Sequence, residues 1–148
     1  MNVENLSKKY DDKIVLDGIT LEFPQKAVIS LIGPNGAGKS TLMGIISRLL
    51  ERTGGAAIFD GKDVRDWKSS ELAKRLSILT QSHNVQMKLT VRELVAFGRF
   101  PYSAGRLTAD DKAIIDRAIR YMELTDLQDR FIDELSGGQR QRAYIAMV

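Results

Sequence analysis

The sequence predicts an α/β domain that begins as antiparallel strands, passes through a glycine-rich strand-to-helix turn, and ends as a set of helices. Three observations carry that prediction. Apolar and polar residues alternate between Asn2 and Phe23, a nine-residue glycine-rich stretch from Gly33 to Thr41 joins a β-branched run to an amphipathic one, and apolar residues recur at helical spacing beyond Thr90. The chain has 148 residues with 43% hydrophobic content, ample for the core of one domain.

From Asn2 to Phe23 the alternation puts Ile19, Leu21 and Phe23 on one face and Thr20 and Glu22 on the other, with Asp11-Asp12 as a turn. Two or three antiparallel strands are expected. Tyr10, beside that turn, either packs on the core as a strand aromatic or offers its ring to a base, since stacking of this kind contributes roughly 1–3 kcal/mol in nucleic-acid complexes.

Ala27-Val28-Ile29-Ser30-Leu31-Ile32 is almost wholly apolar, the pattern of a strand buried on both faces of a parallel sheet. Behind it comes Gly33-Pro34-Asn35-Gly36-Ala37-Gly38-Lys39-Ser40-Thr41, and then Leu42, Ile45, Ile46, Leu49 and Leu50 at helical spacing. Strand, glycine-rich turn and helix is the setting of a phosphate-binding loop. Glycines let successive backbone N–H groups point inward at an anion, and the helix start adds partial positive charge. Lys39 is placed to reach the β- and γ-phosphates of a nucleoside triphosphate, and the Ser40 hydroxyl to take a place on Mg²⁺. A chance match in a chain of this length has odds on the order of one in a hundred or less.

Thr53-Gly54-Gly55 breaks the chain, and Ala56–Phe59 followed by Asp60-Gly61 reads as a short strand entering a turn. Ser69 to Arg75 reads as a short helix, and Leu76–Thr80 as a strand ending at Gln81, where a side chain at the carboxyl end of a strand can reach an ion or a phosphate. His83, the only histidine, falls in a polar loop and reads as a solvated side chain. Thr90 with Glu93, and Thr108 with the acidic pair Asp110-Asp111, are helix starts. The first is followed by Val91, Leu94 and Val95, the second by Ile114, Ile115, Ala118, Ile119 and Met122. Pro101 and Gly105 interrupt the pattern between them. Phe97, Phe100 and Tyr102 around that break pack within the arm or, if exposed, suit a docking surface.

Leu135-Ser136-Gly137-Gly138-Gln139 leads into a last helix. Ser136 and Gln139 have the spacing of a capping box, so the motif has a purely structural reading. Its glycines do not, because better helix formers at Gly137 and Gly138 would favour the helix by up to about 1 kcal/mol each. Bare N–H groups at a helix start make a second anion site.

Composition narrows the classes. Lys and Arg total 22 against 19 acidic residues, interspersed in sign, so the net charge of +3 gives nucleic-acid binding little support. With no cysteine there is neither a disulfide framework nor a thiolate metal site. The start lacks a basic segment followed by an apolar one, and no apolar run nears the roughly 20 residues that span a bilayer.

A phosphate loop, a glutamine closing a later strand, a helical arm and then Leu-Ser-Gly-Gly-Gln, in that order, resemble the ATP-binding subunits of ABC (ATP-binding cassette) transporters. The resemblance runs from about Asn2 to Val148. Between Gln81 and Asp110, through Gly98-Arg99-Phe100-Pro101-Tyr102, it is similar to the ATPases of iron-siderophore and related metal-chelate importers. The resemblance implies an α/β fold in which an N-terminal antiparallel β subdomain and a P-loop NTPase (RecA-like) core together take 1–81 and an inserted helical signature subdomain takes 82–148. It implies ATP and Mg²⁺ as ligands. Tyr10 would stack on adenine, Gly33 to Thr41 cradle the phosphates, Lys39 and Gln81 serve hydrolysis, Ser40 hold magnesium, and Gln81 link that magnesium to the membrane subunits. Leu135, Ser136, Gly137, Gly138 and Gln139 would cap the γ-phosphate held by a second ATP-binding subunit in a head-to-tail dimer. Partners implied are integral membrane permease subunits and, indirectly, a solute-binding protein; the implied location is peripheral, at the cytoplasmic face of the cell membrane.

The family pattern continues into a hydrophobic strand ending in acidic residues and then a switch histidine, and neither follows Val148, so the fold is expected to be incomplete at its C-terminus. Ala143, Tyr144, Ile145, Ala146, Met147 and Val148 are expected to lack packing partners. Lys39, Ser40 and Gln81 position charge without deprotonating water, which predicts ATP binding with turnover near background. The alternative is a non-catalytic nucleotide-binding or interaction module.

Overall fold

A computed structural model describes residues 1–80 and 88–148; Gln81 and His83 lie outside the described residues. The chain divides into two compact units, Met1–Leu72 and Ala73–Val148.

The first unit is built on a four-stranded antiparallel sheet in the order β2-β1-β3-β4. Strand β1 spans Asn2–Tyr10 and β2 Lys13–Glu22, joined by the turn at Asp11-Asp12, and β3 spans Gly54–Phe59 with β4 at Lys62–Asp63. Helix α1, Lys39–Ile46, lies in chain order between β2 and β3, and α2 is the single turn Ser69–Leu72. Val3 and Leu6 of β1, Leu16 of β2 and Ala57 of β3 are buried with Leu42, Ile45 and Ile46 of α1. Of the face expected from alternation, Ile19 and Phe23 pack against this cluster while Leu21 is 40% exposed. Val3 and Leu6 both face inward because Asn5, at φ 47°, and a register shift between them break the period of two. Arg52 ties this sheet together by a two-pronged pair with Asp63, at 2.9 and 2.6 Å. Burial alone would raise the Asp63 pKa, but the Arg52 guanidinium and the Arg65 N–H hold it below the usual carboxylate range.

Three expectations between Ala27 and Thr80 fail. Ala27–Ile32 forms no strand, and Val28 and Ile32 are 101% and 94% exposed. A parallel strand needs a neighbour to accept and donate its ladder hydrogen bonds, and every pair among the described strands is antiparallel, with none joined to this segment. Leu76–Thr80 forms no strand either. Helix α1 is also shorter than its apolar spacing predicts: it ends at Ile46, Arg48 turns left-handed at φ 61°, and Leu49 and Leu50 are exposed. Arg48 then donates to the carbonyls of Val64 and Trp67 and to Ser69 Oγ, tying the segment after β4 to the end of α1.

The second unit is helical: α3 (Val91–Phe97), the short α4 (Phe100–Ser103), α5 (Ala109–Tyr121) and α6 (Gly137–Met147), with 3₁₀ turns at Thr125–Leu127 and Ile132–Glu134. Both helix starts expected from sequence are capping boxes. Thr90 N–H donates to Glu93 Oε2 at 2.8 Å while Glu93 N–H donates to Thr90 Oγ1 at 3.2 Å. Thr108 and Asp111 repeat the exchange at 3.0 and 3.2 Å. Asp111 is buried and also accepts from Arg99 Nε at 2.9 Å.

The last helix is better packed than its sequence suggests. Ala143 and Tyr144 are buried against Val91, Leu94 and Val95 of α3 and Ile115 and Ile119 of α5. Gly98 lies against the end of α6, where a Cβ would stand 2.0 Å from the Met147 carbonyl oxygen. Conversely, Phe97, Phe100 and Tyr102 do not pack into the arm: they are 49%, 60% and 48% exposed. Tyr102 is held at the surface by the Arg99 guanidinium, 4.0 Å from its ring centre, and by its hydroxyl donating to the Lys74 carbonyl.

Two outcomes follow from this packing. Gly98→Ala forces the ends of α3 and α6 apart and is expected to destabilise the helical unit by about 1–3 kcal/mol in urea unfolding. Asp111 is held below its ordinary pKa by the Thr108 N–H above all, then by the Thr108 hydroxyl and Arg99. A depressed carboxylate contributes stability in full above its unfolded pKa of about 3.9 and loses it as pH falls through the folded value. Thr108→Val removes the hydroxyl, so the Asp111 pKa moves up in an NMR titration and acid unfolding begins at higher pH.

Candidate functional site

The stretch Gly33–Thr41 forms the entry to α1, and its shape is set by the strand beside it. Gly38, the N-cap residue, is buried with φ 83°. A Cβ there would stand 2.7 Å from Leu16 Cδ2 and 3.0 Å from the Val15 carbonyl oxygen, so β2 presses on the loop where only glycine fits. Earlier in the loop, Ala37 N–H donates to the Pro34 carbonyl at 3.3 Å and Gly36 is also left-handed, at φ 83°.

Helix α1 therefore starts without a side-chain cap. The other three described helices of seven or more residues, α3, α5 and α6, each begin with a capping box. The first-turn N–H groups of any helix have no acceptor within it, and α1 carries no acidic residue there to offset their partial positive charge. Lys39 adds a full charge at the same place, with Nζ donating to the carbonyls of Gly33 and Pro34, both at 2.7 Å. The Ser40 side chain is on an exposed residue in that first turn, and Thr41 is half-buried. Pro34 and Asn35 are exposed at the loop tip.

This arrangement suits an anion with several oxygens. It also suits Mg²⁺ brought in with phosphates, because that ion takes one or two protein oxygens and fills the rest of its shell with phosphate and water. Among the described residues no group of three or more His, Cys, Asp or Glu side chains forms a self-sufficient metal cage. Ser40 offers the one hard oxygen such a site needs.

Tyr10 ends β1 and is 43% exposed, so it does not pack into the core. Lys8, two residues earlier, sets its ammonium 4.6 Å from the ring centre. Sequence reasoning passed over Lys8, although residues two apart on a strand share a face.

In the helical unit, Leu135 anchors the signature motif in the core. Ser136 N–H donates to Gln139 Oε1 at 3.0 Å and Gln139 N–H to Ser136 Oγ at 3.3 Å, so the capping-box reading holds. Gly137 and Gly138 are exposed and helical, and a Cβ on either would meet nothing within 4 Å. Neither the backbone nor the packing of this unit requires glycine at those positions. The phosphate loop lies in the first unit and the signature in the second.

The profile of the ABC transporter family matches residues 16–148. The chain belongs to that family. It is 49% identical over 148 residues to the petrobactin import ATP-binding protein YclP of Bacillus subtilis (strain 168), covering 100% of this chain and 59% of that protein. It is 51% identical to the petrobactin import ATP-binding protein FatE of Bacillus anthracis over the same shares, and 38% identical over 149 residues to the iron(3+)-hydroxamate import ATP-binding protein FhuC of Bacillus subtilis (strain 168), covering 99% and 55%. The chain thus spans between half and two thirds of the length of these relatives. Among solved structures, it superposes on cbiO1 of Clostridium perfringens, part of the ABC transporter complex cbiONQ, with a TM-score of 0.82 at 29% identity, covering 99% of this chain and 59% of that one. A structure described as the ATP-binding subunit of an ABC transporter gives a TM-score of 0.84 at 25% identity, covering 99% and 60%. The fold is that of the ABC ATPases, in which an antiparallel β part and a helical signature part are both recognisable here. None of the described strands supplies a parallel sheet.

The open space around the signature glycines gives a prediction of unusual sign for a family motif. Gly138→Ala is expected to stabilise the helical unit by up to about 1 kcal/mol, whereas Ser136→Ala destabilises it by about 1 kcal/mol through loss of the cap, both read from urea midpoints.

Proposed function

We propose that the chain is the nucleotide-binding part of the ATP-binding subunit of an ABC importer, and that the longer protein couples ATP hydrolysis to import of an iron-siderophore or a related metal chelate. The observation that carries the nucleotide reading is the glycine-capped start of α1, uncapped by any side chain and flanked by the Lys39 ammonium. The named activities of the petrobactin and hydroxamate relatives support the solute class.

In this reading the N–H groups of Gly36 and of Gly38 to Thr41 donate to the phosphates of ATP, and Lys39 exchanges its bonds to the Gly33 and Pro34 carbonyls for phosphate oxygens. Gly33, Pro34 and Asn35 shape the loop mouth. Ser40 holds Mg²⁺, which supplies charge neutralisation at the β- and γ-phosphate oxygens when bound. Tyr10 stacks on adenine, and Gln81 joins the magnesium site to the membrane subunits. Ser136, Gly137, Gly138 and Gln139, presented by Leu135, donate from the start of α6 to the γ-phosphate of a nucleotide held by a second ATP-binding subunit. Head-to-tail pairing accounts for two phosphate-type sites on separate units of one chain: each serves a different nucleotide. The dimer sits on integral membrane permease subunits at the cytoplasmic face, with a solute-binding protein as an indirect partner. Among the described residues no helix is long and apolar enough to cross a membrane, which leaves the crossing to those permease subunits in this reading.

Lys39, Ser40 and Gln81 place charge and ligands, and none of them takes a proton from the attacking water. If general-base help supplies roughly 10²- to 10⁴-fold, the 148 residues alone bind ATP with turnover near background.

Calorimetric titration of the chain with ATP and Mg²⁺ tests the reading, with phosphate release followed in the same samples. Binding is expected in the parent chain, weakened about 10- to 100-fold in Lys39→Ala, as loss of a charge-assisted bond requires, and without phosphate release. Equal binding by parent and Lys39→Ala, or no binding by a chain that circular dichroism shows to be folded, contradicts it.

A further inference from the structure

The base end of the nucleotide site contains a side chain that neither the motifs nor the relatives' names single out. We infer that Lys8 is a positioning residue for base recognition: its ammonium holds the Tyr10 ring by one face and leaves the other to the adenine. This rests on the reading of Gly33–Thr41 and Tyr10 as one nucleotide site.

The geometry is that of a braced platform. Across the β1–β2 ladder, Lys8 pairs with Leu16, Lys9 with Ile14 and Tyr10 with Lys13, so β2 carries one extra residue, Val15, between the partners of Lys8 and Lys9. Val15 and Leu16 are the residues that press on Gly38 of the phosphate loop. Lys8 therefore lies one strand spacing, about 5 Å at the backbone, from the residue that shapes the phosphate cradle. On the other side of β1, Thr53 pins the same segment, its N–H donating to the Ser7 carbonyl and its Oγ1 accepting from Lys9 N–H, both at 2.9 Å. The backbone under Tyr10 is thus held from both sides, and what remains free is the rotation of the ring.

Lys8 supplies that restraint. Its ammonium stands 4.6 Å from the ring centre, and Tyr10 as a residue is 43% exposed, which leaves room for a second flat group on the ring. Lys9 does not compete for the ring, since its ammonium lies 3.6 Å from the Asp12 carboxylate. A ring already restrained loses less freedom when a base stacks on it, so the benefit appears in binding of the base and not of the phosphates.

The test compares ATP with inorganic tripolyphosphate, each with Mg²⁺, by calorimetry at about 0.3 M salt, where long-range charge effects are largely screened. Lys8→Met keeps the aliphatic stem and removes the charge, and circular dichroism checks that it folds. The expected result is a 2- to 5-fold weaker affinity for ATP, the scale of an exposed cation–π contact, with tripolyphosphate unchanged. Lys8→Arg restores ATP affinity, and in a Tyr10→Ala background Lys8→Met has no effect. Equal loss for both ligands, no loss, or a gain for ATP overturns the inference while leaving the phosphate-loop reading intact. Failure of the parent chain to bind either ligand overturns both.

Discussion

Helix α1 begins with no side chain to satisfy its first turn, because β2 leaves no room for one at Gly38. A Cβ there would stand 3.0 Å from the Val15 carbonyl oxygen and 2.7 Å from a Leu16 methyl, and a left-handed φ of 83° excludes most residues in any case. Everything about the candidate nucleotide site depends on that contact. It ties the loop to β2, the strand paired with the one that carries Lys8 and Tyr10. A helix start capped as at Thr90, Thr108 or Ser136 would be a more stable element and a poorer anion site. Among the described residues, the chain uses the stable form for the other three helices of seven or more residues and withholds it at the one that follows the glycine-rich loop.

The signature motif shows the complementary case. Its Ser136–Gln139 box makes α6 a well-founded helix, anchored by Leu135 beneath and by Ala143 and Tyr144 further along. Its glycines have no such explanation within the unit. An open helix start on one unit and an uncapped one on the other are more economically explained by two phosphate groups than by one, which is why a paired arrangement of chains underlies the proposed function.

Local signals were legible in the sequence and long-range ones were not. The three capping boxes, the Asp11-Asp12 turn and the glycine-rich turn into α1 each depend on residues close together in the chain, and each is found as expected. Ala27–Ile32 and Leu76–Thr80 carry strand-like patterns, but a ladder depends on a partner that pattern cannot supply. Tyr144 is buried where no packing partner is expected, because only the positions of α3 and α5 reveal which residues of α6 face inward. The Gly98 contact with Met147 and the Lys8 contact with Tyr10 leave weaker traces still. One is a glycine at the end of a helix, the other a lysine two residues from an aromatic, and neither pattern is rare.

The central claim is that phosphate completes the start of α1. The most direct measurement is the amide NMR spectrum and hydrogen exchange of residues 33–41 as Mg²⁺ and ATP are added. The account predicts large shifts and new protection at Gly36, Gly38, Lys39, Ser40 and Thr41, with the amides of α3 and α5 unchanged. ATP that binds without altering those loop amides, or that alters them no more than the rest of the chain, would contradict it.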